Sequence, residues 1–229
     1  MLKLSVIVPC FNEKETIREI IKRVQDTGFA YEIVIVDDGS TDGTREILKD
    51  LSLADDVHVF YHTENQGKGA AVKTALTQAK GDVMVIQDAD LEYDPRDYPK
   101  LLQPIEEGKA KVVYGSRFLG GPRRAMFFWH MLGNRLLTLI TNILYNTILT
   151  DMETCYKTFT AEVADSLELT SPGWGFDPEI TAKILRQGIR IYEVPISYAG
   201  REFDEGKKIS WKDGITVLLT LIRLRFQRL

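Results

Sequence analysis

Short apolar segments alternate with amphipathic segments through the first half of the chain. The apolar segments have the length of strands and lie at residues 4–8, 32–36, 57–61, 83–86 and 112–114. The segments between them carry apolar residues at helical spacing and lie at 15–25, 44–51, 70–79 and 97–107. This alternation is typical of βαβ units, and strands without polar positions are buried on both faces. It predicts an α/β fold, with a Rossmann-like, mostly parallel central sheet that helices cover on both faces.

The alternation stops after residue 115. A basic loop, SRFLGGPRR, at 116–124 precedes a long amphipathic pattern at 126–149, and a further helix, a strand and a final helix follow. No segment between the two halves has the composition of a linker, and 229 residues can bury one substantial core. We predict a single domain over residues 1–229, with a C-terminal helical elaboration.

Charge, cysteine content and hydropathy narrow the cellular setting. The formal net charge of −4 gives no basis for nucleic-acid binding. Two cysteines, Cys10 and Cys155, favour a reducing compartment over a disulfide framework. The N-terminus lacks the pattern of a signal peptide, and the apolar run at 136–150 is shorter than the ~20 residues that cross a bilayer. These features predict a cytoplasmic protein, soluble or peripheral at a membrane.

Each of the five predicted strands ends in polar residues. These endings are residues 9–13, 37–43, 65–69, 88–90 and 115–117. One polar turn is commonplace after a strand. Ligands of open α/β sheets bind beyond the carboxyl ends of the strands, so five polar endings predict a ligand site at that edge.

The fourth strand runs directly into a cluster of carboxylates. Asp88 and Asp90 are two residues apart, which in an extended chain places both side chains on one side, and Glu92 continues the series. Clustered carboxylates need a positive partner, and oxygen ligands suit Mg²⁺ or Mn²⁺, which also binds phosphates. The alternative is a solvated turn before the helix near Asp97, and we assign Asp94 to that turn.

Two nucleotide-binding motifs are excluded. The QGKG stretch at 66–69 lacks the upstream glycine and the following Ser or Thr of a P-loop, and no G-x-G-x-x-G follows the first strand. Their absence argues against a P-loop NTPase and a dinucleotide dehydrogenase. We predict that Gly67 and Gly69 form a tight turn into the next helix.

Five motifs follow one another along the first half of the chain: VIVPCFNE, VDDGSTDGT, NQGKGAAVKTAL, GDVMVIQDADLEYDP and GSRF. In this order they resemble the inverting glycosyltransferases of family 2, and within that family the dolichyl- or polyprenyl-phosphate mannose and glucose synthases. DMETCYK and GREFDEGKKISWKDG extend the resemblance less specifically. The resemblance implies a GT-A fold in one glycosyltransferase domain, with a nucleotide-sugar-binding half at 1–120 and an acceptor-side half at 121–229.

The resemblance also implies roles for matching positions around the donor. The nucleotide would be bordered by Pro9, Phe11, Glu13, Val36 and Asp38. The donor diphosphate would be held, through Mg²⁺ or Mn²⁺, by Asp88, Ala89 and Asp90. Glu92 stands where the mannose synthases often carry Gln, and we take it as a third metal ligand.

Three basic residues match phosphate-binding positions of the family. Arg117, Arg201 and Lys207 would face the donor diphosphate or the acceptor phosphate. Arg suits two-pronged binding of phosphate, whereas Lys acts as a point charge. Arg201 and Lys207 would otherwise lie in a solvated charged loop. A third interpretation is that this loop closes over the bound donor as a lid.

The candidate catalytic residues are Asp151 and Arg117. Asp151 in DMETCYK matches a proposed catalytic Asp of the family, and it would otherwise position the acceptor or an arginine. Glu153 and Glu179 are weaker candidates. An alcohol acceptor needs a general base, whereas a phosphate acceptor is already an anion at neutral pH.

The function predicted from this resemblance is transfer of mannose or glucose, from GDP-mannose or UDP-glucose, to dolichyl or polyprenyl phosphate. One alternative is a saccharide or glycan acceptor. Another is an inert nucleotide-sugar-binding protein in a larger assembly, which the intact DAD triplet and Arg117 disfavour.

A lipid-linked acceptor requires contact with a membrane. The amphipathic pattern at 126–149 and the basic tail LIRLRFQRL at 221–229 predict peripheral association with the cytoplasmic face. The alternative is that the first segment packs as core and the tail docks beside it or on another chain. This alternative predicts a homo-oligomer or a separate membrane-anchoring partner.

Overall fold

A seven-stranded sheet forms the centre of the computed structural model, which describes residues 2–173, 175–200 and 211–227. The strands are β1 Leu4–Cys10, β2 Ala30–Asp37, β3 Val57–Tyr61, β4 Val83–Ile86, β5 Val112–Ser116, β6 Lys157–Thr160 and β7 Ile191–Pro195. Their order is β3-β2-β1-β4-β6-β5-β7. Only β6 runs antiparallel to its neighbours, β4 and β5. The predicted Rossmann-like, mostly parallel sheet is confirmed.

Helices cover both faces of this sheet. They are α1 Ile17–Asp26, α2 Thr44–Leu51, α3 Lys68–Gln78, α4 Tyr98–Glu106, α5 Phe128–Tyr145, α6 Ala161–Ser166, α7 Phe176–Arg186 and α8 Trp211–Phe226. Central strand residues such as Val6, Ile7 and Ile33 are fully buried, which explains why the strands carry no polar alternation. The predicted turn at Asp94 is a short 3₁₀ helix, Pro95–Asp97, which the Asp94 side chain caps at the Arg96 amide.

The C-terminal helices form a second, smaller core. Met152, Val217 and Leu221 are buried between α5 and α8, and the Tyr145 hydroxyl donates to the Leu221 carbonyl at 2.8 Å. The outward faces of both helices remain apolar and exposed, for example at Trp129, which is 75% exposed. No helix within the described residues is both long and apolar enough to span a bilayer.

Candidate active site

The antiparallel strand β6 brings residues 151–156 to the carboxyl edge of the sheet. Tyr114 of β5 pairs with Lys157, and Val85 of β4 pairs with Thr158. Because β6 runs opposite to β4 and β5, its first residues lie where those strands end. The segment that precedes β6 therefore meets the acidic turn after β4 and the arginine after β5 at one place.

The acidic turn after β4 is partly exposed at this edge. The Asp88 carboxylate lies 2.7 Å from the Lys68 ammonium, and an Asp90 carboxylate oxygen accepts the Glu92 amide at 3.0 Å. The Glu92 carboxylate accepts the Tyr198 hydroxyl at 2.8 Å. Among the described residues no group of three His, Cys, Asp or Glu side chains is arranged to hold a metal ion. Asp88 and Asp90 retain the oxygen donors that suit a hard cation, whereas Glu92 is turned towards Tyr198.

The loops after β1 and β2 are tied together beside this turn. The Asn12 amide donates to the Ser40 hydroxyl at 2.9 Å, and the Glu13 amide donates to the Thr44 hydroxyl at 3.0 Å. The register pairs Pro9 with Val36, so the structure places the predicted nucleotide residues along neighbouring strand ends. Val36 is fully buried and lies between Pro9 and Phe60 in the sheet, so the structure exposes neither its side chain nor its backbone.

Asp38 has its carboxylate occupied by protein groups. One oxygen is 2.7 Å from a ring nitrogen of His62 and accepts the Gln66 amide at 3.0 Å, while the other accepts the Gly67 amide at 2.7 Å. The residue is only 2% exposed. In this arrangement Asp38 shapes the turn after β3, and that turn leads directly into Lys68.

Arg117 and Asp151 form a buried two-pronged ion pair. The guanidinium donates through Nε and Nη2 to the two carboxylate oxygens at 2.7 Å each, and the Arg117 amide adds a third hydrogen bond at 3.0 Å. Burial opposes the charge on Arg117, but Asp151 outweighs it and raises the pKa of the guanidinium above its ordinary value. Glu193 accepts the amides of Thr150 and Asp151 and so holds the segment from behind. This geometry favours the alternative in which Asp151 positions an arginine.

A second ion pair lies close to the first. Lys157 is fully buried, and its ammonium is 2.6 Å from the Asp177 carboxylate at the start of α7 and also donates to the Thr154 carbonyl. The Glu153 oxygen Oε1 is enclosed and has no hydrogen-bond partner among the described residues. Burial, then the charge of Asp177, raise the pKa of Glu153 to about 7, despite the opposing cations Lys157 and Arg117. Glu153 thus titrates near neutral pH.

The Glu153 carboxyl predicts a pH-dependent stability. A carboxyl with a folded pKa of about 7 against an ordinary 4.5 holds its proton more tightly in the folded protein. The free energy of unfolding is therefore expected to fall as the pH rises from 4.5 through 7, because the unfolded protein loses this proton before the folded protein does. Each pKa unit between the two states contributes about 1.4 kcal/mol. Glu153→Gln should melt several degrees above wild type at pH 8.5 and alongside it at pH 5, whereas exposed Glu168→Gln should not separate from wild type. Equal melting temperatures of wild type and Glu153→Gln at both pH values would contradict the raised pKa of Glu153.

Of the remaining predicted residues, Arg201 and Lys207 lie outside the described residues, and Glu179 has a structural role. Glu179 accepts the amides of Thr170 and Ser171 and pairs with Lys183 at 2.8 Å, so its carboxylate secures a turn.

Sequence reasoning missed three charged residues of this edge: Lys68, Lys157 and Asp177. Lys68 follows the glycine of a tight turn and Asp177 begins a helix, and both features were visible in the sequence. The placement of Lys157 depends on the antiparallel strand β6, which no periodicity indicated.

Comparison with known proteins gives consistent relatives. The sequence profile described as glycosyl transferase family 2 matches residues 5–167. The chain is 31% identical to glycosyltransferase AglJ of Haloferax volcanii, over 96% of this chain and 71% of that protein. It is 33% identical to dolichol-phosphate mannosyltransferase of Pyrococcus furiosus, over 90% of this chain and 59% of that protein's length.

Among solved structures, the fold is similar to that of glucosyl-3-phosphoglycerate synthase from Mycobacterium tuberculosis. That crystal structure holds Mn²⁺, uridine diphosphate and glucosyl-3-phosphoglycerate. The TM-score is 0.76 at 20% identity, over 97% of this chain and 80% of that chain. The similarity concerns the fold.

Proposed function

Because this chain belongs to glycosyltransferase family 2, and is therefore a sugar-transferring enzyme, we propose that it transfers a hexose from a nucleoside-diphosphate sugar to polyprenyl or dolichyl phosphate. The observation that carries the proposal is that a partly exposed acidic turn, Asp88 and Asp90, and the buried Arg117–Asp151 pair lie at one sheet edge. The acidic turn suits a cation and a diphosphate, and the arginine suits a second phosphate. The dolichol-phosphate mannosyltransferase named above supports this acceptor class.

We propose that Asp88 and Asp90 hold Mg²⁺ or Mn²⁺ together with the donor diphosphate. A bound cation of this kind neutralises charge on the departing nucleoside diphosphate. Glu92 would join only if it left Tyr198, whose hydroxyl it accepts at 2.8 Å. We propose that residues 1–120 form the donor half and residues 121–229 the acceptor-side half, with Arg117 of the donor half reaching the acceptor.

Arg117 orients the acceptor phosphate in this proposal. Asp151 takes the Nε and Nη2 edge of the guanidinium, and the Tyr198 hydroxyl also hydrogen-bonds the group. A phosphate oxygen would therefore bind Arg117 by taking over the place of the Tyr198 hydroxyl. An acceptor phosphate oxygen attacks the anomeric carbon with inversion, the bond from that carbon to the diphosphate breaks, and the nucleoside diphosphate departs. The attacking phosphate is already an anion, so no side chain has to remove a proton.

Transfer of labelled sugar tests the proposal directly. The purified chain would be incubated with GDP-mannose or UDP-glucose, with and without a short prenyl phosphate, in Mn²⁺ or in EDTA. The expected result is a chloroform-extractable labelled product that forms with the prenyl phosphate and Mn²⁺ and is lost in EDTA. If product formed only with saccharide acceptors, the acceptor would be a saccharide and not polyprenyl phosphate. Mn²⁺-dependent donor binding without any turnover would indicate a binding protein.

The apolar face of α5 and α8 leads us to propose peripheral association with the cytoplasmic face of a membrane. Trp129 is 75% exposed, Ile143 is 72% exposed and Phe226 is 77% exposed. Beside this face the guanidinium carbons of Arg123 and Arg135 lie 5.5 and 5.3 Å from the centre of the Phe118 ring. Apolar residues flanked by cations are the composition of a surface that lies in an anionic bilayer interface.

Sedimentation with anionic vesicles measures this association. Replacing Arg123 and Arg135 together with Ala is expected to weaken binding about tenfold or more, at ~1 kcal/mol for each arginine. The matched control replaces Arg18 and Arg23 of helix α1, whose guanidiniums pair with Asp50 of α2 and Glu19 of α1. Wild type that stays in the supernatant and has the mass of a dimer would contradict membrane association, and would assign the apolar face to a second copy.

A further inference from the structure

Lys68 places its ammonium against a carboxylate of the proposed metal site. Its Nζ lies 2.7 Å from Asp88 Oδ1, and the two side chains are 23% and 24% exposed. Burial opposes the charge of Lys68, but Asp88, Cys155 and Asp177 favour it and raise the pKa of the ammonium above its ordinary value. Lys68 is therefore a positive charge beside Asp88, where the proposed divalent cation would bind.

The backbone that carries Lys68 is fixed from two sides. Asp38 accepts the amides of Gln66 and Gly67 at 3.0 and 2.7 Å. On the other side the Ala70 amide donates to the Pro172 carbonyl at 3.1 Å, and a Cβ at Gly69 would overlap the Ser171 carbonyl oxygen. Gly67 adopts φ +97°, which other residues rarely do. The turn is rigid, so the freedom of Lys68 lies in its side chain.

A purely structural ion pair would be expected to stay closed. Lys68 and a divalent cation, however, would compete for the same Asp88 oxygens, and two adjacent cations repel each other. The flexible four-carbon stem of a lysine lets its ammonium move to a new partner. A donor diphosphate bound at Asp88 and Asp90 would bring such a partner within reach of the rigid turn.

We propose that Lys68 is an exchangeable counter-ion, which pairs with Asp88 before the donor binds and with the donor diphosphate after a divalent cation takes Asp88. The inference rests on the proposed function, because it requires the cation and the diphosphate at this turn. It predicts effects of opposite sign when the ammonium is removed. The free cation should bind more tightly, since its competitor is gone, and the diphosphate should bind more weakly, since it loses a positive partner.

Lys68→Met tests the two signs separately, because Met keeps the length of the stem without the charge. Free Mn²⁺ would be measured by electron paramagnetic resonance without nucleotide, and GDP and UDP binding by calorimetry at saturating Mn²⁺. Mn²⁺ affinity is expected to rise about fivefold, the scale of a partly exposed ion pair. Nucleotide affinity is expected to fall roughly tenfold or more, the scale of a charge-assisted hydrogen bond. Lys73→Met, an exposed lysine on the same helix, is the matched control and should change neither.

The wild-type measurements separate failure of the inference from failure of the proposed function. A wild-type chain that binds neither Mn²⁺ nor nucleotide would overturn the proposed site itself. If wild type binds both, and Lys68→Met leaves Mn²⁺ affinity unchanged or weakens it, Lys68 is not a competitor of the cation and the inference is wrong. Lys68→Arg provides a check on folding, since it keeps the charge and should retain nucleotide binding.

Discussion

Asp90→Ala is expected to lower turnover about a thousandfold or more. In the proposed site Asp90 shares the cation with Asp88, and the cation stabilises the charge that develops on the departing diphosphate. Such stabilisation is worth several kcal/mol, and each 1.36 kcal/mol is a factor of ten in rate. The loss should appear in the rate of labelled-sugar transfer at saturating donor, and raising the Mn²⁺ concentration should restore only part of it.

Asp94→Ala is the control for this variant. Asp94 lies four residues further along the same turn, but its carboxylate caps the 3₁₀ helix at the Arg96 amide and pairs with the exposed Arg96 side chain. Its removal should cost some stability and leave transfer within a few-fold of wild type. An Asp90→Ala enzyme that melts like wild type and transfers sugar at the wild-type rate would remove Asp90 from the site.

The parts of the fold that follow local periodicity could be predicted from the sequence. Strands β1 to β5 and helices α1 to α4 lie close to their predicted positions. The strands bury short apolar runs on both faces, and the helices bury an apolar face that recurs at helical spacing. The polar strand ends then had to meet at one edge, since parallel strands deliver them there. This reasoning predicts Asp88, Asp90 and Arg117 at that edge, and the structure places them directly after β4 and β5.

The long-range contacts of the site could not be predicted in the same way. Strand β6 reads KTFT, and its buried residues Lys157 and Thr158 are polar, so it lacks the apolar run of a core strand. Its antiparallel insertion between β4 and β5 is what brings Asp151 to Arg117 and Lys157 to Asp177. The carboxylate of Asp38 is occupied by residues 24 to 29 positions away, a pairing that no local pattern encodes.

Asp151→Ala is expected to destabilise the protein by about 3–5 kcal/mol, because it leaves the buried Arg117 guanidinium without its partner. Arg117 is only 6% exposed and Asp151 is fully buried, so water cannot replace the lost hydrogen bonds without opening the structure. A loss of this size is a large share of the ~5–15 kcal/mol that stabilises a typical domain. Denaturant unfolding at pH 7 measures it, and sugar transfer by the folded fraction should also fall sharply.

A double variant separates a positioning role for Asp151 from a role as a base. Replacing Arg117 with Met and Asp151 with Ala removes both charges, so much of the stability lost in Asp151→Ala should return, while transfer stays low because the phosphate has lost its arginine. Asp151→Asn keeps the shape but not the charge, and should loosen the acceptor, raising its KM more than it lowers kcat. If Asp151→Asn instead abolished kcat at unchanged KM, with stability near wild type, Asp151 would act on the reacting groups directly. The Arg117–Asp151 geometry predicts the first pattern, since both carboxylate oxygens are already committed to the arginine.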